Sequence, residues 1–417
     1  SSSHPIVLAS SPDGTIIAYD AYLGVSIAHF TGCRSPRKGL VIAGTDLVAA
    51  SHVSPDTGAG SIYLYNWWSS TVANQIPLTE PVGPLAVTLD GAHILAGGIS
   101  GHIHAVSLPA GHLVQTFPAH SKHVSCLAVS NDGTLLFSGS DDGTIAVYAV
   151  SRVLNPSRGS QFPLRYFAGH DSTVTSITSG IRASNCALVS CSLDYTCKFW
   201  SLMHDTPLYT VAFPCTVWGV EMDPSDSEFY AAGSDGFVYS GTLRLGRRNP
   251  ARQKQVLVPS PWGKQHDGAV IALSMMNGGQ FLATASENGS SIWIWNVSTK
   301  QVVNVLGERM GGCISELIVA KVYTGDTGGR RSGLNAGQGN DGSDSGFASR
   351  ELSRPIRDVM NMEQMAGAQE QDRNKSVSIL GSTIKTYKKL WKHIGKEAKG
   401  GTSSGSGHEA EDDDDDK

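Results

Sequence analysis

The chain has 417 residues, of which 40% are hydrophobic and only 17% charged, enough apolar mass for one large core plus an appendage and too much for a disordered protein. Its net charge of −5 excludes a globally basic nucleic-acid surface, so any contact with RNA or DNA falls to local patches. The 47 glycines point to many tight turns between short strands, which makes an all-β propeller, barrel or sandwich the starting expectation.

The first ten residues, "SSSHPIVLAS", lack both a basic n-region and a long apolar h-region, and no run of 18 apolar residues follows. A cytosolic or nuclear protein that makes no membrane contact is expected, in which Asn-x-Ser at Asn288, Asn296 and Asn374 has no glycan to carry. The seven cysteines, Cys33, Cys126, Cys186, Cys191, Cys197, Cys215 and Cys313, form no CxxC pair. Most fall in predicted strands and read as small buried hydrophobes of a reducing compartment.

In chain order, "IVLASSPDGTIIAYD" (6–20), "DLVAASHVSPDTGAGSIYLYNW" (46–67) and "HILAGGISGHIHAVSL" (93–108) each read as strand, turn, strand. The fourth unit, "AHSKHVSCLAVSNDGTLLFSGSDDGTIAVY", adds polar residues: His120, Ser138 eighteen residues on, Asp142 four beyond that, and Tyr148 six further. The fifth repeats the last two steps in His170, Ser190, Asp194 and Trp200. A degenerate unit, "EFYAAGSDGFVYSGTL" (228–243), follows, and the seventh carries His266, Thr284, Asn288 and Trp295 with one extra serine in its turn. Self-similarity at a period of about 40 residues is the mark of a propeller or solenoid.

A histidine, a serine and an aspartate could form a hydrolase triad. Three copies of the constellation argue against a single active site, and no Gly-x-Ser-x-Gly elbow surrounds Ser138. No phosphate loop, zinc spacing or HExxH is present, and "HSKH" (120–123) and "GHIH" (101–104) lack cysteine or carboxylate partners. A non-enzymatic protein with no cofactor, no metal and no catalytic residue is expected. Glycine turns such as "GSDDG" are accounted for as hairpin connections.

Two insertions interrupt the repeats. "SRVLNPSRGSQFPLR" (151–165) brings Arg152, Arg158 and Arg165; "RLGRRNPARQK" (244–254) brings Arg244, Arg247, Arg248, Arg252 and Lys254 without an acid. The second suits contact with RNA phosphate or an acidic protein, with a plain solvated loop the simpler reading, and it lacks the aromatics of base-specific reading. The first unit lacks its first strand, whereas "GCISELIVAKV" (312–322) is a strand without a unit. Residues 313–320 are therefore expected to complete the unit begun by 6–30, removing an open sheet edge.

Residues 1–323 thus form the repeat domain, and the Gly/Ser/Asn-rich stretch 324–350 a flexible linker. Within 351–399, Val377, Leu380, Ile384, Tyr387, Trp391 and Ile394 fall at steps of 3, 4, 3, 4 and 3, an amphipathic helical seam that suits a partner helix or the chain's own surface. Its lysines also suit RNA or a membrane surface, though solvated lysines flanking a seam are the simpler reading. The acidic tail 400–417 reads as disordered; it could shield the basic helix, attract basic partners or be an expression-tag remnant.

The starts Ala119-His120, Gly169-His170 and Gln265-His266 and the ends Tyr148, Trp200 and Trp295 resemble the WD-repeat family. The resemblance implies seven blades of four antiparallel strands. It also implies that histidine, serine or threonine, aspartate and aromatic form a hydrogen-bonded tetrad in each blade. The stretches "SPRKGL" (35–40), "GSIYLYNW" (60–67), "GGISGHIHAVSLPAGHLV" (97–114), "SGSDDGTIAVYAVSRVL" (138–154) and "TCKFWSL" (196–202) are similar to the WD-repeat subunits of the Ipi/Rix complex. That likeness, covering about residues 5–323, implies a nuclear, nucleolar and nucleoplasmic scaffold for large ribosomal subunit biogenesis, in pre-rRNA processing and pre-ribosome remodelling. It implies a hetero-oligomer with an α-solenoid Rix-type subunit and a midasin-type ATPase, assembled through the C-terminal helix. A rival reading is a WD-repeat adaptor or substrate receptor in ubiquitin-ligase or signalling complexes, which predicts an aromatic or arginine cluster at the open end of the propeller.

Overall fold

The structure is a computed structural model that describes residues 5–12, 14–44, 46–155, 162–180, 188–243, 259–289, 291–307 and 313–321. Short runs of β-branched and small apolar residues, bounded by Asp-Gly and Gly turns, cannot extend into helices and pair as hairpins instead. They give seven antiparallel four-stranded sheets. The inner strands of the seven pack in sequence around a ring, so the described residues form a seven-bladed β-propeller about a central channel.

Blade one is Glu316–Lys321, Pro5–Ser10, Thr15–Asp20 and Ser26–Thr31, from channel to rim. Blades two to seven follow in chain order, with inner strands Leu40–Ala43, Val82–Val87, Val124–Val129, Val174–Ser179, Val217–Met222 and Val270–Met276. A middle strand lies between two neighbouring blades and is buried on both faces; all six residues of Leu135–Ser140 are buried. A rim strand is half covered, and Gln301–Leu306 alternates toward solvent accordingly.

The core lies between blades rather than within them. Edge-to-face aromatic pairs join neighbours: Phe117 and Tyr148 (5.1 Å), Phe199 and Phe229 (5.2 Å), Trp262 and Trp295 (5.1 Å). Each such pair adds about 0.5–1.5 kcal/mol beyond the area it buries.

The ring closes through both ends of the propeller. Glu316–Lys321 runs antiparallel to Pro5–Ser10 from Ser10↔Glu316 to Pro5↔Lys321, and Ser315 N donates to the Ser10 carbonyl at 2.8 Å. The closing strand starts at Glu316 rather than 313, because Cys313 to Ser315 form the connection that leads into it. Three cysteines, Cys126, Cys191 and Cys197, lie in strands; Cys33 and Cys215 are buried in connections, and Cys313 is exposed. Cys33 is held there by donating to the Ser51 carbonyl at 3.3 Å, and burial pushes its thiol up to about 12. Cys186 falls outside the described residues.

The first insertion is not all loop. Its start is a short helix, Val150–Val153, whose Val150 and Val153 are buried in the blade-four core. Its end, Arg165, already belongs to the strand Arg165–Ala168 and pairs with Asp205 at 3.1 Å. Among the described residues no helix is long and apolar enough to cross a membrane.

Candidate functional site

In blade five His170, Ser190, Asp194 and Trp200 come together. Trp200 Nε1 donates to Ser190 Oγ (2.8 Å), Ser190 Oγ meets His170 Nε2 (2.7 Å), and His170 Nδ1 meets an Asp194 oxygen (2.7 Å). One set of protons that satisfies this chain has the indole donating to the hydroxyl, the hydroxyl to Nε2, and Nδ1–H to the carboxylate. Burial works to raise the Asp194 carboxyl, but the bonds from His170 and Thr196 hold it well below the usual range.

Blade four is looser. His120 Nε2 meets Ser138 Oγ at 2.8 Å, but His120 Nδ1 is 3.7 Å from Asp142 and bonds Thr144 Oγ1 at 2.9 Å instead. Thr144 passes the link on to Asp142. Tyr148 packs edge-on against Phe117 and makes no bond to Ser138. In blade seven Trp295 Nε1 donates to Thr284 Oγ1 (2.7 Å), which meets His266 Nε2 (2.9 Å). Asn288 stays out of this chain and lies beside Gly268. With no carboxylate partner, burial and then Lys264 push the His266 imidazole down to about 4.

Sequence reasoning missed the substitute network of blade three. His104, 1% exposed, spans Glu80 Oε1 and Thr116 Oγ1, both at 2.9 Å. Glu80 also accepts from Ser100 N (2.8 Å) and Oγ (2.7 Å). The polar groups are therefore spent on one another inside the blades, as buried polar atoms must be. Among the described residues no group of three His, Cys, Asp or Glu could hold a metal ion.

The inner strands meet at an open mouth of the central channel, a cavity of about 300 Å³. In blades four to seven the inner strand carries a β-bulge just after its first valine. The extra residue is turned out of the ladder. Those residues are Ser125, Thr175, Trp218 and Ile271, and all four line the cavity. Ser125 Oγ and Thr175 Oγ1 donate to the Val174 and Val217 carbonyls of the next blade, stitching the ring.

From blade two, the loop Arg37-Lys38-Gly39 reaches into the same mouth. Gly39 is required there because a Cβ would run into Ser51 Oγ, Ser35 Oγ and the Pro36 carbonyl. Lys38 adopts a left-handed conformation (φ 60°), held by its amide donating to Glu316 Oε2 at 2.8 Å and its carbonyl accepting from Leu85 N at 2.9 Å. Its ammonium stands 3.9 Å from the same Glu316. Burial, the largest single influence, works to lower the Lys38 ammonium, but Glu316 together with Cys191, Cys126 and Glu221 outweighs it and holds the group above its ordinary value.

Beside them, Glu221 is pushed up to about 7 by burial; Lys38 pulls it back and Glu316 adds to the rise. An acid raised in the folded state from 4.5 to about 7 supports the fold fully below pH 4.5 and loses that contribution as pH rises through 7. The loss is about 3 kcal/mol. Glu221→Gln is expected to flatten this arm, raising the melting temperature more at pH 8 than at pH 4.5; thermal unfolding of both proteins at the two pH values checks it.

The basic residues Arg244, Arg247, Arg248, Arg252 and Lys254 and the seam Val377, Leu380, Ile384, Tyr387, Trp391 and Ile394 lie outside the described residues. The strands flanking 244–254, Val238–Thr242 and Ser260–Pro261, are the third and rim strands of blade six.

Seven blades, with a histidine–hydroxyl–indole chain inside two of them, define a WD-repeat β-propeller. The family model "WD domain, G-beta repeat" matches residues 111–148 and 161–201. Protein ROOT INITIATION DEFECTIVE 3 of Arabidopsis thaliana is 30% identical over 330 residues, covering 77% of this chain and 74% of that protein. The human WD repeat-containing protein 18 is 23% identical over 307 residues, covering 72% and 68%. The Schizosaccharomyces pombe pre-rRNA-processing protein crb3/ipi3 is 23% identical over 231 residues, covering 54% and 51%. The chain belongs to this family of WD-repeat proteins, the one typified by root initiation defective 3 and the Ipi3-type pre-rRNA-processing proteins.

Proposed function

We propose that this chain is a non-enzymatic scaffold subunit in large ribosomal subunit biogenesis, acting in the nucleus and nucleolus in pre-rRNA processing and pre-ribosome remodelling. The observation that carries the reading is family membership across the propeller with relatives named as pre-rRNA-processing proteins. The blades support it, since their histidines, serines and aspartates hold strands together and are not free to do chemistry.

In this reading residues 1–323 are the platform, 324–350 a linker, 351–399 a helical segment bearing the partner seam, and 400–417 an acidic tail. The partners are an α-solenoid Rix-type subunit, a midasin-type ATPase and the pre-ribosome, with 244–254 offering a contact to the rRNA backbone.

The test is gentle affinity purification of the full chain and of a version ending at Val322. Recovery of large-subunit precursor RNA and a solenoid protein by the full chain, with the solenoid lost on truncation, is the expected result. Ubiquitin-ligase or signalling components without preribosomal RNA would replace this reading with the adaptor one. One observation favours a peptide-recognising role alongside: Arg37 lies 4.1 Å over the Trp218 ring at the channel mouth, an arginine–aromatic cluster of the kind the adaptor reading predicts.

A further inference from the structure

Trp218 is the largest of the four bulged residues. Ser125 and Thr175 spend their hydroxyls on the next strand, whereas Trp218 places a large ring at the same position, facing the cavity. Acids share the mouth with the ring: Glu316, paired with Lys38, and Asp141, 3.3 Å from His123, line it, and Glu287 reaches Arg37. The facing cations come from one loop of the protein itself.

The two cations are held differently. Lys38 is fixed through its backbone and through Glu316, and its side chain is only 25% exposed. Arg37 rests on the Trp218 face and meets Glu287 at 3.3 Å, with the two side chains 35% and 54% exposed. A solvent-screened pair of this kind holds weakly. Arg37 therefore occupies a cation site, aromatic below and carboxylate beside, without being locked into it.

We propose that the channel mouth binds a basic, extended segment of a partner protein, one arginine or lysine of which takes the place of Arg37 on Trp218 and Glu287. A further cation of the segment meets Asp141 in competition with His123, which stands 3.3 Å from it. The volume of about 300 Å³ admits a side chain with its flanking backbone rather than a folded element. RNA is disfavoured at this end because its phosphates would face Glu287, Glu316 and Asp141. The inference is independent of the ribosomal reading: peptide binding can fail while precursor RNA is still recovered, and the reverse.

The experiment is fluorescence anisotropy on the full chain with a labelled synthetic peptide of alternating Arg, Ala and Ser, its Glu-for-Arg counterpart, and oligouridylate. The Arg peptide is expected to bind saturably. Trp218→Ala and Glu287→Lys are expected to weaken it at least about tenfold, and Arg37→Ala to tighten it several-fold by vacating the ring. Glu287 is half exposed, so its variant reports on binding even if Trp218→Ala does not fold. Undiminished binding to both variants overturns the proposal and points to the aspartate run 412–416. Weaker binding in Arg37→Ala, or preference for the Glu peptide or oligouridylate, also overturns it, because Arg37 would then be reading an anion.

Discussion

Ser190→Ala is expected to lower the unfolding free energy by about 2–4 kcal/mol, against about 1–2 kcal/mol for Ser138→Ala. Ser190 Oγ serves two partners, the Trp200 indole and His170 Nε2, and all three side chains are buried. Removing the hydroxyl strands a donor and an acceptor together, each carrying the desolvation cost of an unmet buried group. Ser138 Oγ serves only His120 among these groups, because a tyrosine stands where blade five has its tryptophan. Denaturant unfolding of the two variants gives the difference directly. A triad reading makes the opposite forecast: an activity lost with stability intact, and equal costs at the two sites.

The larger loss is expected at the closure. Leu317, 2% exposed, sits in the closing strand and packs into the core shared by blades one and seven. Leu317→Asp buries a charge without a partner and is expected to cost more than about 3–4 kcal/mol, enough to remove much of the stability of a typical domain. A chain ending at residue 312 is expected to lose the cooperative transition, since Pro5–Ser10 would keep a bare inner edge. A chain ending at Val322 is expected to unfold at the same midpoint as the full chain. Calorimetry of the three proteins checks the set; a sharp transition in the shortest would show that the ring holds without its closing strand.

The architecture was legible because it repeats. Seven copies of strand, turn and strand announce seven blades, and the fixed step of four from Ser138 to Asp142 and from Ser190 to Asp194 places hydroxyl and carboxylate at one turn. Where one link of that spacing changes, legibility ends. In blade seven the lengthened turn leaves Asn288 beside Gly268 and away from His266. The Glu80–His104 network has no copy elsewhere to reveal it, and its members are 24 residues apart. The channel mouth was hidden for another reason. A bulge depends on how two strands register, and its occupants Ser125, Thr175, Trp218 and Ile271 share a position but no chemistry. Arg37 and Lys38 entered the reading only within "SPRKGL", as part of a likeness and without a place.

The weave of blade one also sets a clock. Its second strand, Pro5–Ser10, is synthesised about 300 residues ahead of its inner neighbour, which begins at Glu316. At about 5–20 residues per second, the ribosome delivers that neighbour roughly 15–60 s later. Throughout that interval the nascent chain carries an apolar strand with one unpaired edge, the kind of surface that invites pairing with another chain. The newborn protein must therefore keep this strand from premature company until its partner, about 300 residues further along, has been made.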